Sequence, residues 1–136
     1  MRITREIDYA LRIMNALAKR EKRCGAAFIA DDISVSLRFT LKILNKLVGS
    51  GYVRSYRGTD GGYELAKAPA EITLLDIVEA IDGPVTINTC IGEHSECTCV
   101  GGDKSACFYY HVFDDINACI AEKLRAITLD MAITGK

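Results

Sequence analysis

A glycine-rich turn between two short strand-like segments constrains the fold of this chain more than any other feature. Residues 52–57 and 63–65 carry tyrosine, valine and leucine, and residues 58–62 between them contain three glycines. Glycine adopts positive φ angles without steric strain, so this turn predicts an antiparallel β-hairpin. The segments before and after the hairpin show helical periodicity or none. The pattern therefore predicts a mainly α-helical chain with one small β-hairpin.

Apolar residues spaced three and four positions apart predict three helices before the hairpin. The first begins after Thr4, a predicted N-cap, and ends near residues 24–25. A short helix covers residues 30–34. The third begins at Ser36 and ends at the glycines of residues 49–51. Its predicted buried stripe consists of Leu37, Leu41, Leu44 and Val48.

Two further helices are predicted after the hairpin. Thr73 and Asp76 have the spacing of a capping box, and the helix that they open ends at the Gly-Pro pair of residues 83–84. A long C-terminal helix then carries an apolar seam at Phe113, Ile116, Ile120, Leu124, Ile127 and Met131. Because little other apolar surface is available to cover this seam, we expect it to pair with a second copy in a homodimer.

Charge is divided unevenly along the chain. Residues 1–67 contain 13 Lys and Arg against 7 Asp and Glu, a net charge of +6, whereas residues 68–136 contain 4 against 11, a net charge of −7. A basic half of this kind is typical of proteins that face a polyanion. No segment is apolar for the roughly eighteen residues of a membrane span, and the first residues lack the core of a signal peptide. We therefore expect a cytoplasmic protein without membrane contact.

Helix, short helix, helix and hairpin in this order predict a winged helix-turn-helix domain over residues 1–67. The helix that begins at Ser36 is its recognition helix, which enters the major groove of DNA, and the hairpin is its wing. Arg38, Lys42 and Lys46 are four residues apart, so their charges lie along one helix face. The candidate DNA-contacting residues are Arg38, Thr40, Lys42, Lys46, Arg54, Arg57 and Gly58.

The acidic half, residues 68–136, is predicted to hold a sensor region ahead of the dimerisation helix. Its cysteine loop, residues 90–107, contains Cys90, Cys97, Cys99 and Cys107, with His94 and His111 nearby. Thiolates select zinc, copper(I) or iron–sulfur clusters. The gaps of six, one and seven residues between these cysteines do not match the paired two-residue spacing of structural zinc sites. Zinc is therefore the poorer fit.

Five short segments, spread over nearly the whole chain, carry a family resemblance. They are IDYALR at residues 7–12, RFTLKILNKLV at 38–48, GYVRSYRG at 51–58, GGYEL at 61–65 and IVEAIDG at 77–83. With the cysteine loop ahead of a dimerisation helix, these segments resemble the Rrf2 family of bacterial winged-helix transcription regulators. A short deletion before Val35 relative to the family pattern implies that the first helix of the helix-turn-helix is shortened.

The resemblance implies a homodimer that binds operator DNA and holds an iron–sulfur cluster, 2Fe–2S or 4Fe–4S, through three loop cysteines and one other ligand. Cys90 and Cys107 match the first and last family cysteines. Cys97 matches the middle one, with Cys99 as the alternative. For the fourth ligand the resemblance implies Asp8 of the other subunit, with His111 as its competitor.

Two rival functions remain open at the level of sequence. The first is a cluster-free regulator of the same type that responds through thiol oxidation or a protein partner. The second is a small iron–sulfur redox protein in which the helical half is only a scaffold. Enzymatic activity is not expected, because no nucleophile stands with a base and an orienting group in a recognisable arrangement.

Overall fold

Helices make up most of the chain in this computed structural model, which describes residues 1–93, 95, 97–99 and 101–136. His94 lies outside the described residues. The elements are α1 (Arg5–Ala18), α2 (Ala26–Ile33), α3 (Leu37–Gly49), β1 (Val53–Tyr56), β2 (Gly62–Leu65), α4 (Leu74–Asp82), α5 (Phe108–Arg125) and α6 (Leu129–Thr134), with short 3₁₀ turns at Pro69–Glu71 and Lys104–Ala106. The predicted fold class, mainly α with one two-stranded hairpin, is confirmed. Within the described residues, no helix is long and apolar enough to cross a membrane.

The start of α1 was predicted correctly and its end was not. The Thr4 hydroxyl accepts a hydrogen bond from the Ile7 amide at 3.3 Å and caps the helix. The helix ends at Ala18, well before residues 24–25, because residues 19–23 are all charged and offer no apolar face to bury. The short helix α2 begins at Ala26, earlier than the predicted residue 30.

The recognition helix α3 buries a different stripe from the predicted one. Its buried residues are Thr40, Ile43, Leu44 and Leu47. Leu37, predicted to be buried, is 47% exposed. Both stripes have helical spacing, so periodicity alone could not choose between them. Packing against α1, α2 and α4 selects the face that contains Ile43 and Leu47.

The wing forms as predicted, and a third segment extends its sheet. β1 and β2 are antiparallel, with Val53 opposite Leu65 and Tyr56 opposite Gly62. The Tyr63 amide donates to the Cys24 carbonyl oxygen at 2.9 Å, and the Cys24 amide donates to the Tyr63 carbonyl oxygen at 3.0 Å. A Cβ atom on Gly62 would lie 2.8 Å from the Cys24 carbonyl oxygen, so this close approach requires glycine.

The second half begins with the predicted capping box. The Thr73 hydroxyl accepts from the Asp76 amide at 3.1 Å, and the Asp76 carboxylate accepts from the Thr73 amide at 2.8 Å. These two bonds open α4, and the core residues Ile72, Leu75 and Ile77 pack with those of α1 and α3. Residues on both sides of position 67 therefore share one core.

The predicted long C-terminal helix is confirmed as the 18-residue α5, but the predicted seam runs past its end, since Met131 lies in the separate short helix α6. The Leu74 amide donates to the Ile127 carbonyl oxygen, and the Leu129 amide donates to the Ile72 carbonyl oxygen, each at 2.8 Å. These two bonds engage the Ile127 carbonyl oxygen and the Leu129 amide with a distant segment, at the point where the helix is interrupted. α5 begins at Phe108, directly after the cysteine loop.

Ser34 carries the tight connection between α2 and α3. It has φ 56° and ψ 46°, the left-handed conformation, which costs a non-glycine residue about 1–2 kcal/mol. We expect Ser34→Gly to raise the free energy of unfolding by about 0.5–1 kcal/mol, because glycine relieves this strain but loses more entropy on folding. Urea denaturation measures the change.

Ser50→Gly is the matched control for this prediction. Ser50 caps α3 with φ −88° and ψ −3°, an ordinary right-handed conformation, so glycine relieves nothing there. Equal effects of the two substitutions would contradict the assignment of strain to Ser34.

Candidate nucleic-acid interface and cysteine loop

The recognition helix presents a polar face to solvent. Ser36 caps the helix, its hydroxyl accepting from the Phe39 amide at 3.4 Å. Arg38, Lys42 and Asn45 are exposed, on the side opposite the buried Ile43 and Leu47. Guanidinium, ammonium and amide groups on one helix face are the groups that bind phosphates and base edges in the major groove.

Two of the predicted DNA-contacting lysines have an internal partner. The Lys42 ammonium donates to Glu6 Oε1, and the Lys46 ammonium lies 2.6 Å from Glu6 Oε2. Lys46 also donates to the Ile81 carbonyl oxygen at 3.2 Å. The hydrogen bonds from Lys42 and Lys46 lower the pKa of Glu6 below its ordinary value. Sequence analysis missed Glu6. It is 36 positions from Lys42 and 40 positions from Lys46, and no local sequence pattern reveals contacts over such separations.

Thr40 does not belong to this exposed face. Its side chain is 0% exposed and lies among the buried residues of α3, so it does not reach the surface. Within the described part of the chain, the Thr40 hydroxyl has no hydrogen-bond partner. The placement of Thr40 among the DNA-contacting residues is therefore corrected, and it is left out of the interface.

We expect Thr40→Val to raise the free energy of unfolding by about 1 kcal/mol and to leave DNA affinity unchanged. An unpartnered buried hydroxyl costs about 1–3 kcal/mol, and valine replaces it with a methyl group of similar shape. Urea denaturation and a DNA titration measure the two quantities. A folded Thr40→Val variant with weakened DNA binding would reverse the correction.

The wing exposes Arg54, Arg57 and Gly58. Gly58 has φ 94°, a conformation that the turn requires and that favours glycine. Arg54 lies opposite Glu64 in the strand register. The two arginine side chains have room to follow a DNA backbone or enter a minor groove.

Arg23 contacts residues of the wing and was not among the residues that the sequence analysis identified. Its guanidinium carbon lies 3.4 Å from the centre of the Tyr56 ring. It also donates to the Asp60 carbonyl oxygen at 3.4 Å, and its Nε lies 3.5 Å from a Glu64 oxygen. The run of charges at residues 19–23 was the available signal, but only the fold shows that Arg23 turns toward the hairpin.

Hydrogen bonds draw parts of the cysteine loop together. The Ser95 hydroxyl lies 2.7 Å from the Cys90 carbonyl oxygen and accepts from the Lys104 ammonium. Asn117 of α5 holds the segment just before the loop, since its side-chain nitrogen donates to the Val85 carbonyl oxygen at 2.9 Å and its Oδ1 accepts from the Ile87 amide at 3.0 Å. The beginning and the end of the loop are thus held against each other.

Neighbouring thiols in the loop affect the ionisation of Cys99. The Cys97 thiol and, to a smaller extent, that of Cys107 raise the pKa of Cys99 above its ordinary value. Cys90, Cys97 and Cys107 are half-buried, and Cys99 is exposed. Among the described residues, no three cysteine, histidine or acidic side chains are close enough together to hold a metal ion.

The two candidates for the fourth ligand have other partners in the single chain. Asp8 forms an ion pair with Arg12 one turn along α1, at 2.7 Å, and both side chains are 48% exposed. His111, in the first turn of α5, places Nε2 2.7 Å from the Ser105 carbonyl oxygen. Because a carbonyl oxygen only accepts, Nε2 carries the proton and Nδ1 holds the lone pair in the neutral ring.

Helix α5 buries none of its residues fully. Ile120 and Leu124 pack partly against the core, whereas Phe108 is 73% exposed and Ile116 is 44% exposed. An 18-residue helix with this much apolar surface in solvent has an incomplete interface within one chain.

Comparison with known proteins decides what kind of protein carries this recognition helix, wing and cysteine loop. A family model described as "Rrf2: Iron-dependent Transcriptional regulator" matches residues 3–135. The chain belongs to the Rrf2 family. The HTH-type transcriptional regulator IscR of Pectobacterium atrosepticum is 33% identical over 138 residues, which cover 100% of this chain and 81% of the relative.

Solved structures of regulators share the fold of this Rrf2 protein. CymR, the global cysteine regulator of B. subtilis, matches with a TM-score of 0.77 at 25% identity, covering 100% of this chain and 98% of CymR. IscR of T. potens matches with a TM-score of 0.73 at 24% identity, covering 100% and 89%. The family match and the IscR relative make the protein a helix-turn-helix transcriptional regulator rather than an enzyme.

Proposed function

We propose that this Rrf2 regulator binds operator DNA as a homodimer and that an iron–sulfur cluster in its cysteine loop sets its affinity for that DNA. The observation that carries the proposal is a loop of four free cysteines, Cys90, Cys97, Cys99 and Cys107, in a chain of this family, with Cys90 tied to Lys104 through Ser95. Such a regulator acts beside the chromosome, in the cytoplasm. Membership of the Rrf2 family decides against the small redox protein.

The chemistry of the loop fits an iron–sulfur cluster. Thiolate sulfur is the usual ligand of iron in such clusters. Cys90, Cys97 and Cys107 are the proposed ligands, because they are half-buried, whereas Cys99 is exposed and serves as the alternative to Cys97. A bound cluster would supply reactivity toward oxidants, nitric oxide and iron loss that free thiols do not have.

Asp8 of the other subunit is the proposed fourth ligand. Its carboxylate is half-exposed on α1 and is held by Arg12 in the single chain, so binding requires it to exchange that partner. An exposed i, i+4 ion pair of this kind stabilises the helix by only about 0.2–0.5 kcal/mol, so Asp8 loses little free energy when it leaves Arg12. His111 is the competing candidate, since its Nε2–H donates to the Ser105 carbonyl oxygen and its Nδ1 lone pair stays free. It ranks below Asp8 because it stands four residues after Cys107 rather than three, a shift that turns a helical side chain by about 100°.

We expect Asp8→Ala to change the absorption spectrum of the anaerobic protein and to weaken the dependence of DNA affinity on cluster state. His111→Ala serves as the control and is expected to leave both nearly unchanged. The measurements are anaerobic spectroscopy and DNA titration of each variant. A silent Asp8→Ala with a disruptive His111→Ala would move the fourth ligand to the histidine.

The exposed apolar surface of α5 is the proposed dimer interface. Phe108 and Ile116 lie in solvent in the single chain, and a second copy of the helix would cover them. Sedimentation equilibrium is expected to give a dimer that Ile116→Asp weakens. A monomer with unchanged DNA affinity would contradict this part of the proposal.

For DNA, the proposed contacts come from the recognition helix and the wing. Arg38, Lys42 and Lys46 serve the major groove, and Arg54, Arg57 and Gly58 serve the backbone and the adjacent minor groove. This division explains why the basic residues concentrate in the first half of the chain.

Anaerobic purification followed by iron and acid-labile sulfide analysis tests the cluster directly. We expect both elements in equal amounts, and Mössbauer and absorption spectra then distinguish a 2Fe–2S from a 4Fe–4S cluster. Protein that contains neither element after strictly anaerobic isolation would contradict the proposal.

One observation favours a second candidate, a cluster-free regulator that responds to thiol oxidation. Cys97, Cys99 and Cys107 are free cysteines of one loop, so two of them could form a disulfide once an oxidant such as hydrogen peroxide converts one thiol to a sulfenic acid, which the second thiol attacks with loss of water. In that case iron-free protein would lose two free thiols per chain on peroxide treatment, and its DNA affinity would change with them.

A further inference from the structure

A carboxylate on α1 pairs with two cations of the recognition helix. Glu6 Oε1 accepts from the Lys42 ammonium, and Glu6 Oε2 lies 2.6 Å from the Lys46 ammonium. The Glu6 side chain is 29% exposed, against 51% for Lys42 and 36% for Lys46, so the acid is the more buried member of the group. One acid therefore serves both lysines.

Lys42 lies within the proposed DNA-contacting face of the recognition helix. It lies on the exposed face between Arg38 and Asn45, opposite the buried Ile43 and Leu47. Lys46 is fixed further by the Ile81 carbonyl oxygen at 3.2 Å. Any duplex that docks on this face meets two ammonium groups that already have a carboxylate partner.

A DNA phosphate must compete with Glu6 for these ammonium groups. A phosphate offers a lysine much the same charge-assisted hydrogen bonds as a carboxylate does, so exchanging one for the other gains little. A carboxylate left behind also repels the phosphate that replaced it. Sequence-independent binding, which depends on phosphate contacts alone, therefore gains little from Lys42 and Lys46 while Glu6 is present.

We infer that Glu6 is a specificity-determining residue, which withholds Lys42 and Lys46 from sequence-independent phosphate contacts. At a cognate site, acceptors on base edges bind the Lys42 ammonium in addition to the phosphates. Replacing Glu6 by DNA as the partner of Lys42 then becomes favourable. Specificity is the difference between the binding free energies for cognate and non-cognate DNA. A contact that suppresses binding to non-cognate DNA therefore raises specificity. The inference rests on the proposed binding of operator DNA.

The test compares Glu6→Gln with Glu122→Gln, an exposed residue of α5 whose substitution changes the net charge equally. One probe is a duplex enriched from a random library by the wild-type protein, and the other is a scrambled duplex of the same composition. Fluorescence anisotropy over a series of salt concentrations gives the affinities and their salt dependence.

We expect Glu6→Gln to tighten binding to the scrambled duplex severalfold more than Glu122→Gln does. The slope of log affinity against log salt is expected to steepen by about 1–2, as up to two further phosphates are neutralised. The enriched duplex gains less, so the ratio of the two affinities falls. In a Lys42→Ala, Lys46→Ala background, Glu6→Gln is expected to match Glu122→Gln.

Three results would overturn the inference while leaving DNA binding intact. They are weaker binding of Glu6→Gln to both duplexes, an effect equal to that of Glu122→Gln, and an effect that persists without the two lysines. A wild-type protein that enriches no duplex at all would overturn the proposed function together with the inference.

Discussion

Replacing Arg38, Lys42 and Arg57 together by alanine is expected to weaken operator binding by at least about a hundredfold. Two of these residues lie on the exposed face of the recognition helix and the third lies on the wing. Each phosphate contact that is lost lowers the salt slope by about one, and each bidentate base contact that is lost costs about 1–3 kcal/mol and relaxes specificity at one position. Arg57 lies on a different element from the two helix residues, so its loss is expected to add to theirs.

The measurement is a titration of the enriched duplex over a salt series, beside a control in which Lys19, Arg125 and Lys136 become alanine. These three are exposed and lie outside the proposed interface, and their removal changes the net charge equally. Binding of the first triple variant that matches wild type at every salt concentration would contradict the assignment of the interface to α3 and the wing.

Cys107→Ser is expected to yield protein without stoichiometric iron or sulfide. Cys107 directly precedes α5 and is half-buried beside Cys99, so its thiolate is the proposed last ligand of the loop. Serine keeps the size of the side chain but replaces the soft sulfur that iron–sulfur clusters require, leaving one iron with an open and labile position.

Cys119→Ser is the matched control for this substitution. Cys119 is exposed on α5, away from the cysteine loop, and is expected to keep full iron and sulfide content when it is replaced. Iron and acid-labile sulfide analysis of both variants, purified anaerobically side by side, gives the answer. A Cys107→Ser protein with the iron content of Cys119→Ser would remove Cys107 from the ligand set.

Features set by neighbouring residues were predicted correctly. The Thr4 cap, the capping box of Thr73 and Asp76, and the wing with its Gly58 turn each depend on a few adjacent positions. Capping and turn formation are local hydrogen-bonding and steric effects, so the sequence specifies them wherever the rest of the chain lies.

Features set by distant partners were predicted wrongly or missed. The buried face of α3 was misplaced because two apolar stripes share Leu44 and only packing chooses between them. The break before α6 depends on bonds between residues 72–74 and 127–129, and the contact of Glu6 with the recognition helix joins separate elements. No periodicity carries this information, since it concerns which surfaces meet.

In the candidate site too, features set by neighbouring residues were predicted and features set by distant contacts were not. Periodicity placed Arg38 and Lys42 on an exposed face correctly, because a charged residue opposite a buried stripe is a local property of a helix. It could not show that Thr40 is buried or that Arg23 stacks on Tyr56, because both follow from tertiary packing.

The central claim is that the state of an iron–sulfur cluster controls the DNA affinity of this regulator. The most direct test titrates the enriched duplex with one anaerobic preparation of known iron and sulfide content, before and after the cluster is removed. The account predicts a change in affinity of about tenfold or more, a coupling of roughly 1.4 kcal/mol, which returns when the cluster is rebuilt. Equal affinities before and after removal, from protein shown to have held the cluster, would contradict it.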